Sequence, residues 1–227
     1  MFSQDELKQQ VAQAALAYIR PFLHPEAVVG VGTGSTADLF IDQLATLKGE
    51  FLATVASSER SARRLADHGI TVLDLNQVIS MPVYVDGADE INPKLQMIKG
   101  GGGALTREKI VASVAERFVC IADESKVVNE LGAFTLPIEV LPMALNSVSR
   151  KMKDYGGEAV LRSGFTTDNG NPIIDVKGFS VADARDLESQ INQIPGVVTC
   201  GFFAISPATV ALIATQEGVK QLSHDLS

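Results

Sequence analysis

Four stretches of this chain hold the glycines, carboxylates, hydroxyls and lysines from which acid–base work on a small anion can be assembled. The first is Gly30-Val31-Gly32-Thr33-Gly34-Ser35-Thr36. Glycines let the backbone come close to a ligand, and a helix beginning beside them offers free N–H groups and a partial positive charge. Ser35 and Thr36 add hydroxyl donors, so the loop suits a phosphate monoester. It is not a Walker loop, because no Lys follows the last glycine. Nor is it G-x-G-x-x-G, and the next strand ends in Ser57-Ser58 where a dinucleotide ribose would need an acid. Taken alone, a tight turn whose hydroxyl merely caps the helix explains it equally well.

The second stretch is Asp86-Gly87-Ala88-Asp89-Glu90, directly after Val83-Tyr84-Val85. Carboxylates this close repel one another, and in a partly dry cleft the repulsion raises at least one pKa toward a useful acid–base range. The plainer alternative is a turn in which Asp86 and Asp89 bond local backbone N–H groups. A metal site would want a neighbouring His, but His24, His68 and His224 are scattered. The third stretch is Lys99-Gly100-Gly101-Gly102-Gly103, followed by Thr106 as an expected helix N-cap and Glu108 in the first turn. Four consecutive glycines are costly to order, so something should need their freedom. Singly, Glu108 is also explained by the helix dipole and Lys99 by a solvated surface charge. The fourth is Asp123-Glu124-Ser125-Lys126, where Lys126 either reaches a phosphate or starts an exposed helix.

These stretches need a scaffold, and the apolar pattern supplies one. Ser3 and Glu6 make a capping box for a helix carrying Leu7, Val11, Ala15 and Tyr18, which Pro21 ends. Strands are expected at 27–31, 51–56, 70–75, 82–85, 95–98 and 118–122, and helices at 36–47, 58–68 and 106–117. Strands apolar on both faces and alternating with helices predict a parallel sheet covered by helices. All four stretches would then follow strands of that one sheet and emerge at its carboxyl edge, where open α/β sheets bind ligands. Beyond Gly132 the order becomes strand (136–141), helix (146–155), paired strands about the Asn169-Gly170 turn (159–162 and 173–176), helix (183–192) and strand (197–204). That order suits a small split-βαβ unit, and Val210 to Thr215 is a last strand returning to the main sheet.

With 19 basic and 27 acidic side chains the formal charge is −8, which disfavours nucleic acid and anionic membranes as partners. Cys120 and Cys200 sit in apolar surroundings without metal or disulfide patterning, and are expected to be buried thiols. The start of the chain is neither basic nor apolar, and no apolar run reaches membrane length, so a cytoplasmic location is expected.

Together these segments resemble ribose-5-phosphate isomerase of the A type. The likeness is carried by Gly30 to Thr36, by Tyr84-Val85-Asp86-Gly87-Ala88-Asp89-Glu90-Ile91, and by Met97 to Gly102 with Leu105-Thr106-Arg107-Glu108-Lys109. Ile121-Ala122-Asp123 with Lys126, Pro137-Ile138-Glu139-Val140 and Thr167-Asp168-Asn169-Gly170-Asn171 extend it. Gly103 stands where Ala is expected in some relatives, a change that puts nothing in the likeness in doubt.

The resemblance implies a doubly wound, mostly parallel sheet domain (1–131 and 206–227) with an inserted ferredoxin-like α+β domain (132–205), paired as a homodimer. It implies no metal and no organic cofactor, and a place in the non-oxidative pentose phosphate pathway. Carried over, Glu108 is the proton-transferring base, Asp86 helps open the furanose ring with Asp89 beside it, and Lys99 steadies charge on the substrate oxygens. Substrate would be held by Thr33, Gly34, Ser35, Thr36, Asp86, Gly87, Ala88, Asp89, Lys99, Gly100, Gly101, Gly102 and Lys126. Two rivals use similar sheets. A sugar-phosphate-sensing regulator would need a DNA-binding module, whereas a single helix precedes Ala27. A sugar-phosphate deaminase or coenzyme A transferase is the other, and the transferase would make a Glu the nucleophile.

Overall fold

The computed structural model describes residues 1–179 and 181–223; His224 and the remainder of the expected C-terminal sheet segment lie outside the described residues. The chain divides into two compact units. One comprises Met1–Ala88, Arg107–Val127 and Ala208–Ser227, and the other Asp89–Thr106 and Val128–Pro207.

The first unit begins with α1 (Gln4–Ile19), whose Ser3 and Glu6 form the expected reciprocal cap. Pro21 stands inside a short 3₁₀ turn that follows, where its missing N–H costs nothing. Then come β1 (Val28–Val31), α2 (Ser35–Leu44), β2 (Ala53–Ala56), α3 (Glu59–Asp67) and β3 (Val83–Asp86). The second unit contributes β4 (Glu90–Ile91) and β5 (Met97–Ile98) before the chain returns through α4 (Leu105–Val114) and β6 (Phe118–Asp123). It continues with β7 (Leu136–Val140), α5 (Leu145–Lys151), β8 (Glu158–Leu161), β9 (Ile173–Lys177), α6 (Ala184–Asn192), β10 (Val197–Cys200) and β11 (Phe202–Phe203). β12 (Val210–Thr215) and β13 (Gly218–Ser223) complete the first unit.

The main sheet has the order β13-β12-β6-β3-β1-β2, parallel throughout except for β13 at one edge. Its strands β1, β3, β6 and β12 are buried along their whole length. Alternation sorts their side chains. Val29, Val31, Val83, Val85, Val119 and Ile121 join α1 and α2 in one core, so Gly30, Tyr84 and Asp86 face the opposite side. Both cysteines are buried free thiols.

In this unit one expected strand is revised and one unexpected strand is added. The segment 70–75 makes one parallel bridge, Thr54 with Val72, because Asp74 then turns the chain by accepting the Asn76 N–H and capping a 3₁₀ turn. β13 was not foreseen: its exposed, polar Gly218–Ser223 pairs with β12 across a two-residue turn and closes the sheet edge.

The second unit holds the antiparallel sheet β10-β7-β9-β8, backed by α5 and α6. In chain order that is 4-1-3-2, the ferredoxin-like arrangement. A smaller sheet, β11-β5-β4, lies in the same unit. Here the sequence reading needs correcting. The strand expected at 197–204 breaks at Gly201, whose N–H donates to Pro137 O at 2.7 Å while its carbonyl accepts the Lys99 N–H at 2.9 Å. A side chain at 201 would lie 2.3 Å from Lys99 O, so only glycine permits the crossing. The residues beyond it pair with β5, and the lysine–glycine stretch therefore follows a strand of this small sheet and not of the parallel one. Residues 89–106 group with the second unit for the same reason, and Glu90 ties them further by accepting the Gly132 and Phe134 N–H groups.

Candidate active site

In the first unit, the carboxyl ends of β1 and β3 are fitted to each other by two absent side chains. Gly30 lies opposite Tyr84 in the parallel register, and a Cβ there would stand 2.9 Å from the tyrosine ring. A Cβ on Gly32 would stand 1.9 Å from Asp86 Oδ1. The glycines thus open the space in which a phenol and a carboxylate are set side by side. Asp86 is fully buried, with Oδ1 accepting the Thr33 N–H at 3.0 Å and the Gly87 N–H at 2.7 Å. Its Oδ2 accepts the Tyr84 hydroxyl at 2.6 Å.

Glu108, fourth residue of α4, is 4% exposed. Burial, the negative charge of Asp86 and then that of Glu108 push the Tyr84 phenol well above its usual 10. One hydroxyl therefore feels both carboxylates, which places Asp86 and Glu108 in one electrostatic neighbourhood.

The phosphate-type loop is built next to this. The Thr33 hydroxyl donates to Ser58 Oγ at 2.9 Å and lies 2.8 Å from Ser57 Oγ. Ser58 passes a bond to Ser61 at 3.1 Å, and Ser61 ends the chain on Gly32 O at 2.7 Å. Gly34 takes φ +120°, a conformation that a side chain would resist, and thereby turns the backbone into α2. The first intrahelical bond runs from Asp38 N–H to Gly34 O. Helix geometry leaves the N–H groups of Ser35, Thr36 and Ala37 pointing outward, with the positive end of the dipole behind them. Asp38, buried in the same turn, would oppose an anion, but the Arg60 guanidinium is bonded to it. Lys126 ends the 3₁₀ turn that leaves β6 at the same sheet edge, while Asp123 is spent capping that turn. Arg107 pairs with Glu59 at 2.9 Å.

In the second unit, Lys99 is 2% exposed and its ammonium stands 5.6 Å from the centre of the Phe203 ring. Asp89 accepts the Gly101 N–H at 2.8 Å. Thr106 is not the cap of α4. The helix starts one residue earlier, and the Thr106 hydroxyl is drawn to the buried carboxylate of Glu139. The three carboxylates of 86–90 thus go to three destinations: Asp86 to the Tyr84–Thr33 cluster, Asp89 to the glycine turn, and Glu90 to structural N–H groups.

So the first unit gathers Thr33 to Thr36, Asp86 and Glu108, with Gly87, Ala88 and Lys126 on its loops. The second gathers Asp89, Lys99 and Gly100 to Gly102. The chain passes between the units at 88–89 and 106–107, inside the two motifs. Tyr84, Ser57, Ser58 and Ser61 were given no role from sequence. Tyr84 was findable, since two residues before Asp86 on a strand means the same face. Among the described residues no group of three or more His, Cys, Asp or Glu is placed to hold a metal ion.

The chain is similar to known proteins along nearly its whole length. Residues 53–218 match the family model described as ribose 5-phosphate isomerase A (phosphoriboisomerase A). The curated ribose-5-phosphate isomerase A of Bordetella bronchiseptica is 65% identical over 224 residues, 99% of either chain. The crystal structure of ribose 5 phosphate isomerase A from Neisseria gonorrhoeae superposes with a TM-score of 0.93 at 45% identity, covering 98% of each chain. A D-ribose-5-phosphate isomerase in complex with phospho-erythronic acid superposes at 0.91 with 38% identity, over 98% of this chain and 100% of that one.

Proposed function

The chain belongs to the ribose 5-phosphate isomerase A family, and from that premise we propose that it interconverts ribose 5-phosphate and ribulose 5-phosphate through an enediolate, with Glu108 as the travelling base. The aldose has its carbonyl at C1 and a weakly acidic C–H at C2. Glu108 takes the C2 proton and electron density moves onto O1; the O2 hydroxyl proton then passes to O1, and the same carboxyl returns its proton to C1 as the carbonyl forms at C2. One group serves as base and then acid, which a carboxylate in a sheltered site can do.

The phosphate is held by the N–H groups and hydroxyls of Ser35 and Thr36, with Thr33, Gly34 and Lys126 beside them. Its binding energy positions the reacting carbons. During ring opening Asp86, flanked by Gly87, Ala88 and Asp89, takes the O1 hydroxyl proton and gives it to the ring oxygen as the C1–O4 bond breaks and the C1 carbonyl forms. Lys99 and the amides of Gly100 to Gly102 steady the oxyanion. No metal or organic cofactor has a step to perform. The chain is proposed to act as a homodimer, in the cytoplasm, in the non-oxidative pentose phosphate pathway.

The observation that carries this proposal is the burial of Glu108 within the electrostatic reach of Tyr84, whose hydroxyl donates to Asp86. Exposed, Glu108 would be an ordinary helix-dipole partner. Glu108→Gln keeps the shape and removes the basic carboxylate. Substrate affinity should stay near normal while turnover of ribose 5-phosphate drops at least about 10²-fold. In heavy water the wild type should place deuterium on C1 of the ketose and the variant almost none. Retained turnover with retained exchange in Glu108→Gln moves the base to Asp86 or Asp89.

A further inference from the structure

The turn that follows Lys99 has its peptide planes held from outside. Gly103 N–H donates to Gly100 O at 2.9 Å, and Gly101 N–H to Asp89 Oδ2 at 2.8 Å. The carbonyls of Gly100 and Gly101 both accept from Arg162 Nη1, at 3.0 and 3.2 Å. Arg162 is itself anchored, because its Nε and Nη2 donate to the two carboxylate oxygens of Asp175 on β9, at 2.8 and 2.5 Å. Its guanidinium carbon also sits 5.4 Å from the centre of the Phe165 ring. The Nε–Nη2 edge of the guanidinium is thus taken by Asp175, and Nη1 serves the turn.

In a trans peptide the C=O and the N–H point in opposite directions. Fixing the Gly101 carbonyl on Arg162 therefore turns the Gly102 N–H away from the guanidinium. Gly102 is exposed, and among the described residues nothing accepts its N–H. A run of glycines has no Cβ to bias its peptide planes, so their orientation must be imposed by a partner. The cation on the carbonyl side also polarises the peptide and strengthens the donor on the other side.

We propose that Arg162 is a positioning residue of the isomerisation: it holds the Gly101–Gly102 peptide so that the Gly102 N–H meets the substrate oxygen on which negative charge develops. That role rests on the assignment of Lys99 to Gly102 as groups binding the sugar oxygens. Asp175 acts one step further out by fixing Arg162.

Arg162→Lys tests this, because a lysine keeps the charge but cannot span Asp175 and both carbonyls. Its kcat should fall at least about 10-fold, less than for outright loss of an oxyanion donor, with KM for ribose 5-phosphate within about threefold. Phospho-erythronic acid, whose carboxylate mimics the planar enediolate, should bind at least about 10-fold more weakly. Inhibition by inorganic phosphate, which reports only the anchor, should not move. Asp175→Asn should show the same pattern to a smaller degree, and it decides alone if Arg162→Lys shows no thermal unfolding transition. A folded variant with unchanged kcat and unchanged phospho-erythronic acid affinity overturns the role. So does a parallel loss of inorganic phosphate binding, which marks general loosening of the fold. Failure of the wild type to convert ribose 5-phosphate would sink the functional assignment itself, independently of Arg162.

Discussion

Replacing Glu139 by Leu should loosen the second unit by about 3–5 kcal/mol, because its carboxylate is the acceptor on which two chain segments converge. Glu139 is fully buried. Its Oε1 accepts from the Thr167 hydroxyl at 2.9 Å and from the Asn171 amide at 2.8 Å, and the Asn169 amide straddles both oxygens at 3.2 and 3.3 Å. Its Oε2 accepts the Thr106 hydroxyl from the first turn of α4. Leu fills most of the volume but accepts nothing. Thr106 and Thr167 are themselves buried, so each stranded hydroxyl costs about 1–3 kcal/mol. The amides on the more exposed loop can turn to water and add little.

Against this stands the cost of burying a carboxylate among neutral donors, which Leu relieves. The net figure assumes that donors fixed by the fold outweigh that cost. At about 2–4 °C per kcal/mol for a chain of this size, the melting temperature should fall by about 6–20 °C. Glu139→Gln, which keeps one acceptor oxygen, should lose roughly half as much. Denaturant titration and a double cycle with Thr106→Val check the attribution: a coupling of about 1 kcal/mol or more is expected. A Glu139→Leu protein melting within about 3 °C of the wild type refutes the reasoning. Desolvation of the carboxylate would then cancel its bonds, and the Thr167–Asn171 turn would be held by packing alone.

Other consequences are simpler to test. Ser35→Ala with Thr36→Ala should weaken both ribose 5-phosphate and inorganic phosphate; unchanged affinity for both anions moves the anchor toward Lys126. Tyr84 has its phenol raised by burial and by Asp86 and Glu108, so the folded pKa exceeds the unfolded one. The stabilisation is therefore full below about pH 10 and is lost as pH rises through the folded value. Phenolate absorbance should show one of the three tyrosines resisting ionisation until the protein unfolds, and Tyr84→Phe should abolish that late component. Common titration of all three in the folded protein would contradict it. Gly103→Ala should destabilise by about 1–3 kcal/mol, since Gly103 has φ +82° and its Cβ would stand 2.0 Å from the Phe165 ring. A melting temperature equal to wild type would refute that cost.

The main sheet was legible because its signals are local and redundant. Val28 to Val31, Val83 to Asp86 and Phe118 to Asp123 are short, buried on both faces and separated by helices, so pattern alone orders them as parallel strands. The 4-1-3-2 sheet of the second unit was likewise readable from strand–helix alternation around Asn169-Gly170. What failed were two-residue strands. Met97–Ile98 looks like any apolar run, and its partners Glu90–Ile91 and Phe202–Phe203 lie at very different distances along the chain. Only the close approach of Gly201 to Lys99 O decides that it leaves the parallel sheet. A propensity scale has no access to that contact.

The same distinction governs the site. Residue types suggested the chemistry, and the structure adds that Glu108 is buried and that Ser35 and Thr36 begin α2. Assignments resting on proximity in sequence fared differently. Asp86, Asp89 and Glu90 look like one cluster, yet backbone donors separate them, because a strand, a turn and a second strand send successive side chains in different directions. Conversely, Gly30 and Gly32 look like phosphate-loop glycines. The register of Gly30 opposite Tyr84, and the closeness of Gly32 to Asp86, show that they make room for the buried phenol and carboxylate. Replacing either would push on Asp86 or Tyr84 before any ligand arrived. Loss of activity in a Gly32 variant therefore cannot be read as loss of phosphate binding unless the Tyr84–Asp86 bond is shown to survive, for instance by the late tyrosine titration described above.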